Sequence, residues 1–191
     1  LKQAYEINSW GKNVYVKIPV VNSKGKFTGS VIEELSYKGV KLNITAVYTY
    51  EQTKKIYKKL CKKTKSIISI FAGRMADKGK DPLPIFKKSI SLTKRNKNIE
   101  ILWASTREAY NYIQAKNLGC SIITMPPSII EKIEIWENQD NASRGIILDK
   151  FQTNESDEVF TPRRNMYLWG IGYSAASVDC TAAAVLNSSS V

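Results

Sequence analysis

The sequence predicts an α/β chain built on a parallel sheet, and three observations predict it. Five short apolar runs, the first of them β-branched residues at period two, alternate with stretches of helical spacing. The connections are short, and parallel strands need crossovers that helices supply. Polar residues recur in or just past the C-terminal halves of the strands: Lys17, Thr45, Arg74 and Ser105. In an eight-stranded α/β barrel those ends form the active-site face. No GxGxxG or GxxxxGK[ST] run is present, so dinucleotide and P-loop readings lack support. The 191 residues, 43% hydrophobic and 24% charged, are enough for one domain with a real core.

Residues 1–10 place Leu1, Ala4, Tyr5 and Ile7 at helical spacing, with Gly11 as a stop. In Asn13–Val20 the alternation of Val14, Val16, Ile18 and Val20 reads as a strand, and Pro19 suits an edge or a strand end. Lys17 then stands near the end of a short apolar strand. It either snorkels to water or is desolvated; a desolvated amine has a lowered pKa and can form a Schiff base with a carbonyl. Asn22–Gly25 is a turn, and Val31, Ile32, Leu35 and Tyr37 mark a helix closed by Gly39. Leu42–Tyr48 is the second strand. Thr49 is the N-cap of the next helix, with Gln52 three residues on. That helix carries Ile56, Tyr57 and Leu60 on one face. Ser66–Phe71 is the third strand, followed by Ala72–Asp77 and a loop over Lys78–Pro84. Ile85, Ile90 and Leu92 mark a helix up to Asn98. Ile99–Ala104 is the fourth strand, Glu108–Asn117 a helix, and Ser121–Met125 the fifth strand, stopped by Pro126 and Pro127. Ile129, Ile130 and Ile133 open the last helix.

The chain carries a net charge of +12 and no histidine. The charge suits anionic partners, and the missing imidazole removes the commonest general base and metal ligand. Seven lysines between Lys54 and Lys65 invite a nucleic-acid reading, but they flank apolar positions at helical spacing with Tyr57 as the sole aromatic among them. A solvated helix face accounts for them better. Cys61, Cys120 and Cys180 are odd in number and lack metal spacing, which favours a reducing, cytoplasmic setting.

With these residues in view, residues 1–134 resemble the transaldolase family, including its small fructose-6-phosphate aldolase-like members. The motifs are Val16-Lys17-Ile18-Pro19, Leu42-Asn43-Ile44-Thr45, Ser69-Ile70-Phe71-Ala72-Gly73-Arg74, Ala104-Ser105-Thr106-Arg107 and Thr124-Met125-Pro126-Pro127. The resemblance implies a partial (β/α)8 TIM barrel, the last five strand–helix units, in a class I enzyme using neither metal nor cofactor. Lys17 would form the Schiff base with a ketose phosphate, and Thr45 would help hold the catalytic water. Asn43 matches a position that binds substrate hydroxyls. Ser69, Phe71 and Ser105 match the site lining, and Arg74 and Arg107 match the phosphate anchors. Guanidinium groups suit that last task because they offer paired donors and stay charged.

The implied reaction moves a dihydroxyacetone unit between sugar phosphates, as in the pentose phosphate pathway. A fructose-6-phosphate aldolase-like carbon–carbon lyase is the alternative within the family. A non-catalytic basic binding module is the alternative outside it. Sugar phosphates are the implied partners; neither nucleic acid nor membrane is expected, and a homo-oligomer is compatible with the resemblance. Family barrels have eight strands, so three are expected ahead of Leu1, carrying an aspartate, an asparagine and an acidic or amide residue around the lysine. Residues 135–191 read as a divergent tail, partly disordered or derived from a fusion. Glu137–Glu158 is polar and loop-like, and Met166–Leu186 is rich in Ala, Gly and Ser. Gly172–Val178 is faintly similar to a membrane segment of cytochrome c biogenesis thiol transporters, but Asp179 interrupts the apolar run.

Overall fold

The structure, a computed structural model, describes residues 1–139. The expectations for the tail after Gln139, Cys180 among them, lie outside these residues. The elements are α1 (Lys2–Ser9), β1 (Val16–Pro19), α2 (Gly29–Tyr37), β2 (Leu42–Val47), α3 (Tyr50–Lys59), β3 (Ser66–Phe71), α4 (Ala72–Ala76), α5 (Leu83–Thr93), β4 (Ile99–Ala104), α6 (Tyr110–Asn117), β5 (Ile122–Ile123) and α7 (Pro127–Gln139).

All four strand pairings are parallel, and the strands lie side by side in chain order, β1 to β5. A doubly wound sheet would reverse its strand order at a switch point. This order instead winds in one direction, as consecutive units of a (β/α)8 barrel do. Side-chain alternation separates two faces. Val16, Ile18, Leu42, Ile44, Ile68, Ile70, Ile101 and Trp103 join residues of the helices in the main core. A second cluster of Tyr15, Ile67, Leu102, Ala104 and Ile122, with Phe71 against it, contains no helix residue. The helices therefore cover one face, and the other is the barrel's inner face. Pro19 is tolerated because β1 is an edge strand among the described residues.

Local chemistry explains where elements begin and end. Thr49 Oγ1 accepts from Gln52 N at 3.1 Å, and Gln52 Oε1 accepts from Thr49 N at 3.1 Å, so the capping box opens α3 as its sequence predicts. Gly39, at φ +81°, takes the left-handed turn that ends α2.

Several boundaries differ from the sequence reading. β1 starts at Val16 rather than Asn13, because pairing with β2 begins at Val16 opposite Leu42. α3 stops at Lys59, since Leu60 adopts an extended conformation, so Lys62, Lys63 and Lys65 lie beyond the helix. α5 ends at Thr93 rather than Asn98. There the side-chain amides of Asn96 and Asn98 donate to Lys62 O, and Asn98 N donates to Asn96 Oδ1, a local alternative to helical bonding. α6 begins at Tyr110 because Asn111 Oδ1 accepts from the backbone N–H groups of Arg107 and Glu108. β5 keeps two paired residues, Ile122 and Ile123. α7 runs to Gln139, through the first residues of the stretch read as loop.

Candidate active site

Because Val16 and Ile18 face the helices, Lys17 between them faces inward. Its Cα is in register with Asn43 on β2, and Pro19 is in register with Thr45. Asn43, Thr45, Ser69 and Phe71 share that inner face by the same alternation. Lys17 is half-buried, and burial lowers its pKa below the ordinary lysine value of 10.5. It takes part in none of the ion pairs found among the described residues. The sequence left open a snorkelling or a desolvated lysine; its partial burial favours the desolvated one.

Asn43 and Ser69 are buried, 4% and 2% exposed, and the Ser69 hydroxyl donates to Asn43 Oδ1 at 2.6 Å. That bond fixes the amide and leaves its hydrogens as the group Asn43 can offer. Thr45 Oγ1 is fully buried and has no hydrogen-bond partner among the described residues. A buried hydroxyl left without any partner costs about 1–3 kcal/mol, so such a group is suited to meeting a ligand or solvent oxygen.

The rim of this face is strained. Ala46 and Ser105 both adopt left-handed backbone, φ 58° and 64°, where β2 and β4 end, and the β2–β3 register shifts between Ile44 and Val47. Such conformations cost about 1–3 kcal/mol each and cluster at functional sites. Gly73 is pressed against the end of β4: a Cβ there would lie 1.8 Å from Ser105 O and 2.7 Å from Arg107 Cγ. The β3–α4 turn and the end of β4 are thus in backbone contact.

Both arginines gather at this turn. The Arg74 guanidinium lies 5.3 Å from the Phe71 ring centroid, on the ring that packs against the inner-face cluster. Tyr48 meets the same ring edge-on, with centroids 5.7 Å apart. Arg107 packs its stem against Gly73 and donates from NH2 to Asp77 Oδ2 at 2.7 Å; both side chains are 49% exposed. The sequence missed this ion pair, which joins residues thirty positions apart across two strand ends. It also missed Tyr48. The one available signal was Gly73 itself, a glycine at the start of a helix directly after a strand.

Glu100 was not singled out by the sequence either. Between Ile99 and Ile101, both in the helix-facing core, it faces inward at the N-terminal end of β4. Burial raises its pKa, and the Lys65 charge opposes that shift. It lies at the opposite end of the strand from Ser105. Cys61 and Cys120 are free thiols, and burial pushes the Cys120 thiol up to about 12, which keeps it protonated.

Comparison with known proteins adds the chemical context. The chain matches the family model described as transaldolase/fructose-6-phosphate aldolase over residues 1–169. It is 28% identical over 129 residues to a probable transaldolase of Nitrosopumilus maritimus, covering 66% of this chain and 54% of that protein. It is 31% identical over 131 residues to a probable transaldolase of Dehalococcoides mccartyi, covering 68% and 57%. A probable transaldolase of Herpetosiphon aurantiacus is 24% identical over 152 residues, covering 79% and 65%. The chain thus spans less than two thirds of the length of these relatives.

Proposed function

Because the chain belongs to the transaldolase/fructose-6-phosphate aldolase family, we propose that it carries the Schiff-base half of a transaldolase site, which moves a dihydroxyacetone unit between sugar phosphates. The observation that carries this reading is Lys17, a desolvated amine on the inner face beside Asn43. Its neutral form attacks the ketose carbonyl carbon, and water leaves to give a protonated imine. The imine draws electrons from the C3–C4 bond. That bond breaks, the aldehyde fragment departs as the C4 hydroxyl gives its proton to solvent, and a three-carbon enamine stays on Lys17. The enamine attacks the aldehyde carbon of an acceptor aldose phosphate, the acceptor's carbonyl oxygen takes a proton back from solvent, and hydrolysis of the new imine returns the free lysine.

Asn43 and Ser69 hold substrate hydroxyls in this reading, Thr45 holds the water of the imine steps, and Phe71 and Ser105 line the site. Arg74 and Arg107 take the terminal phosphate. Sugar phosphates are therefore the proposed substrates, and a cytoplasmic setting is kept with them. Residues 1–134 form the catalytic unit of the proposal, with the tail outside it. Phe71, together with Ser69 and Asn43, favours the transferase over the lyase. Cleavage of fructose 6-phosphate measured with and without erythrose 4-phosphate tests that choice: acceptor-dependent turnover is expected, and equal cleavage without acceptor overturns it.

In an enzyme that also carries the three strands the resemblance implies, Arg74→Ala should raise KM for phosphorylated substrates about 30-fold, the equivalent of losing a charge-assisted contact of about 2 kcal/mol. KM for unphosphorylated dihydroxyacetone should stay unchanged. Arg107→Ala should act in the same direction but more weakly, since Asp77 already occupies part of its guanidinium. An equal loss with both kinds of substrate would remove Arg74 from the phosphate site.

A further inference from the structure

The positive charge of the chain is concentrated in one stretch. Residues 50–98 hold fifteen Lys and Arg against three Asp and Glu, a net +12 that equals the charge of the whole chain. The rest of the sequence is balanced. This stretch includes α3 and α5, which pack together through a buried Ser89–Thr53 hydroxyl contact of 3.2 Å. Lysines far apart in sequence are thereby brought onto one helical face.

Where the start of α3 meets α5 lies a shallow, open depression of about 580 Å³, lined by Tyr50, Pro84, Lys87, Lys88, Ser91 and Leu92. None of these is among the candidate active-site residues. Two ammonium groups approach the Tyr50 ring, Lys54 Nζ at 5.8 Å and Lys88 Nζ at 6.0 Å from its centroid. Read along the sequence, the lysines of α3 have only Tyr57 among them. Tyr50 stands four residues ahead of Lys54 in the same helix, and folding brings a cation of α5, Lys88, to its ring, the aromatic component that bare charge lacks.

We propose that the α3–α5 face is a binding surface for single-stranded nucleic acid, with phosphates on the lysines and a base against Tyr50. Grooves of this kind combine cations that track the backbone with an aromatic ring that accepts any base. An anionic membrane is the poorer fit. The exposed large apolar side chains among the described residues are Leu1, Tyr5, Trp10, Phe27, Tyr37 and Tyr110, and none lies between residues 50 and 98 to enter a bilayer. The surface stands independently of the Lys17 chemistry.

The test is fluorescence anisotropy of the full chain with labelled oligo(dT) of about 20 nucleotides, long enough for a site of about 4–16, across a salt series. Binding should weaken with salt along a log–log slope of about −0.7 per phosphate neutralised. The double variant Lys87→Glu/Lys88→Glu should lower affinity at least tenfold and make the slope shallower by about 1.4, two lysines' worth. Tyr50→Ala should lower affinity about fivefold or more, the loss of one stacked base, at unchanged slope, and Tyr50→Phe should retain it. No binding at low salt, or affinity and slope both indifferent to the charge reversal, would overturn the proposal. So would tighter binding to phosphatidylserine vesicles than to the oligonucleotide, or equal affinity of Tyr50→Ala and the parent chain.

Discussion

Lys17→Met is expected to abolish imine formation and to lower turnover on the order of 10⁴-fold or more, as removal of a covalent nucleophile does. It is also expected to stabilise the fold at neutral pH. Burial favours the neutral amine, so the folded-state pKa of Lys17 lies below its unfolded value of 10.5. Between those two values the unfolded chain binds more protons, so the lysine protein gains stability as pH rises through the folded pKa. Below that pKa the charged amine is held in a poorly hydrated place at full cost. Methionine carries no such cost. The stability advantage of Lys17→Met should therefore be largest at neutral pH and shrink toward pH 10.5, as followed by urea midpoints. The rate of imine formation by the parent chain should rise with pH and level off below the ordinary lysine pKa. A variant that is less stable at neutral pH would mean that Lys17 is tied down by favourable contacts rather than desolvated.

Gly73→Ala is expected to destabilise the fold by about 3 kcal/mol, at the upper end of overpacking costs. Replacing a helical glycine with alanine ordinarily stabilises by up to about 1 kcal/mol, so the sign of the effect is diagnostic. The new methyl would meet the Ser105 carbonyl oxygen at 1.8 Å, and backbone is on the other side of the contact. Relief requires the β3–α4 turn and the end of β4 to part. That movement would separate Arg74 from Arg107 and disturb the left-handed Ser105. Chemical denaturation checks the stability change. A neutral or stabilising alanine would contradict the close approach on which the rim depends.

Most of the sheet was legible in the sequence because its signals are local. β3 and β4 appear within their expected bounds, since six-residue apolar runs between turn residues are too short for a buried helix. The capping box of Thr49 and Gln52 was equally plain. The ends of α5 and α6 were not, because Asn96, Asn98 and Asn111 redirect backbone bonds through their side chains, which apolar spacing does not register. β1 and β5 were overestimated because β-branched residues continue past the point where a neighbouring strand exists to pair with them.

At the site, the strand pattern put Lys17 and Thr45 toward the C-terminal ends of their strands, while Asn43 and Ser69 entered through the family resemblance; that the four share one face needed the register between strands. Burial of the lysine, the Ser69–Asn43 bond and the orphaned Thr45 hydroxyl needed the neighbouring strands. The Asp77–Arg107 pair and the Gly73 contact are products of tertiary approach and had no linear signature beyond the glycine itself.

Borohydride trapping with mass-spectrometric peptide mapping tests the Lys17 assignment most directly. The chain is incubated with dihydroxyacetone or fructose 6-phosphate, reduced with sodium borohydride, and digested. A single covalent adduct on the peptide that contains Lys17, absent from Lys17→Met, is the result expected here. No adduct at Lys17, or adducts scattered over the exposed lysines of α3 and α5 and unchanged in Lys17→Met, would contradict it.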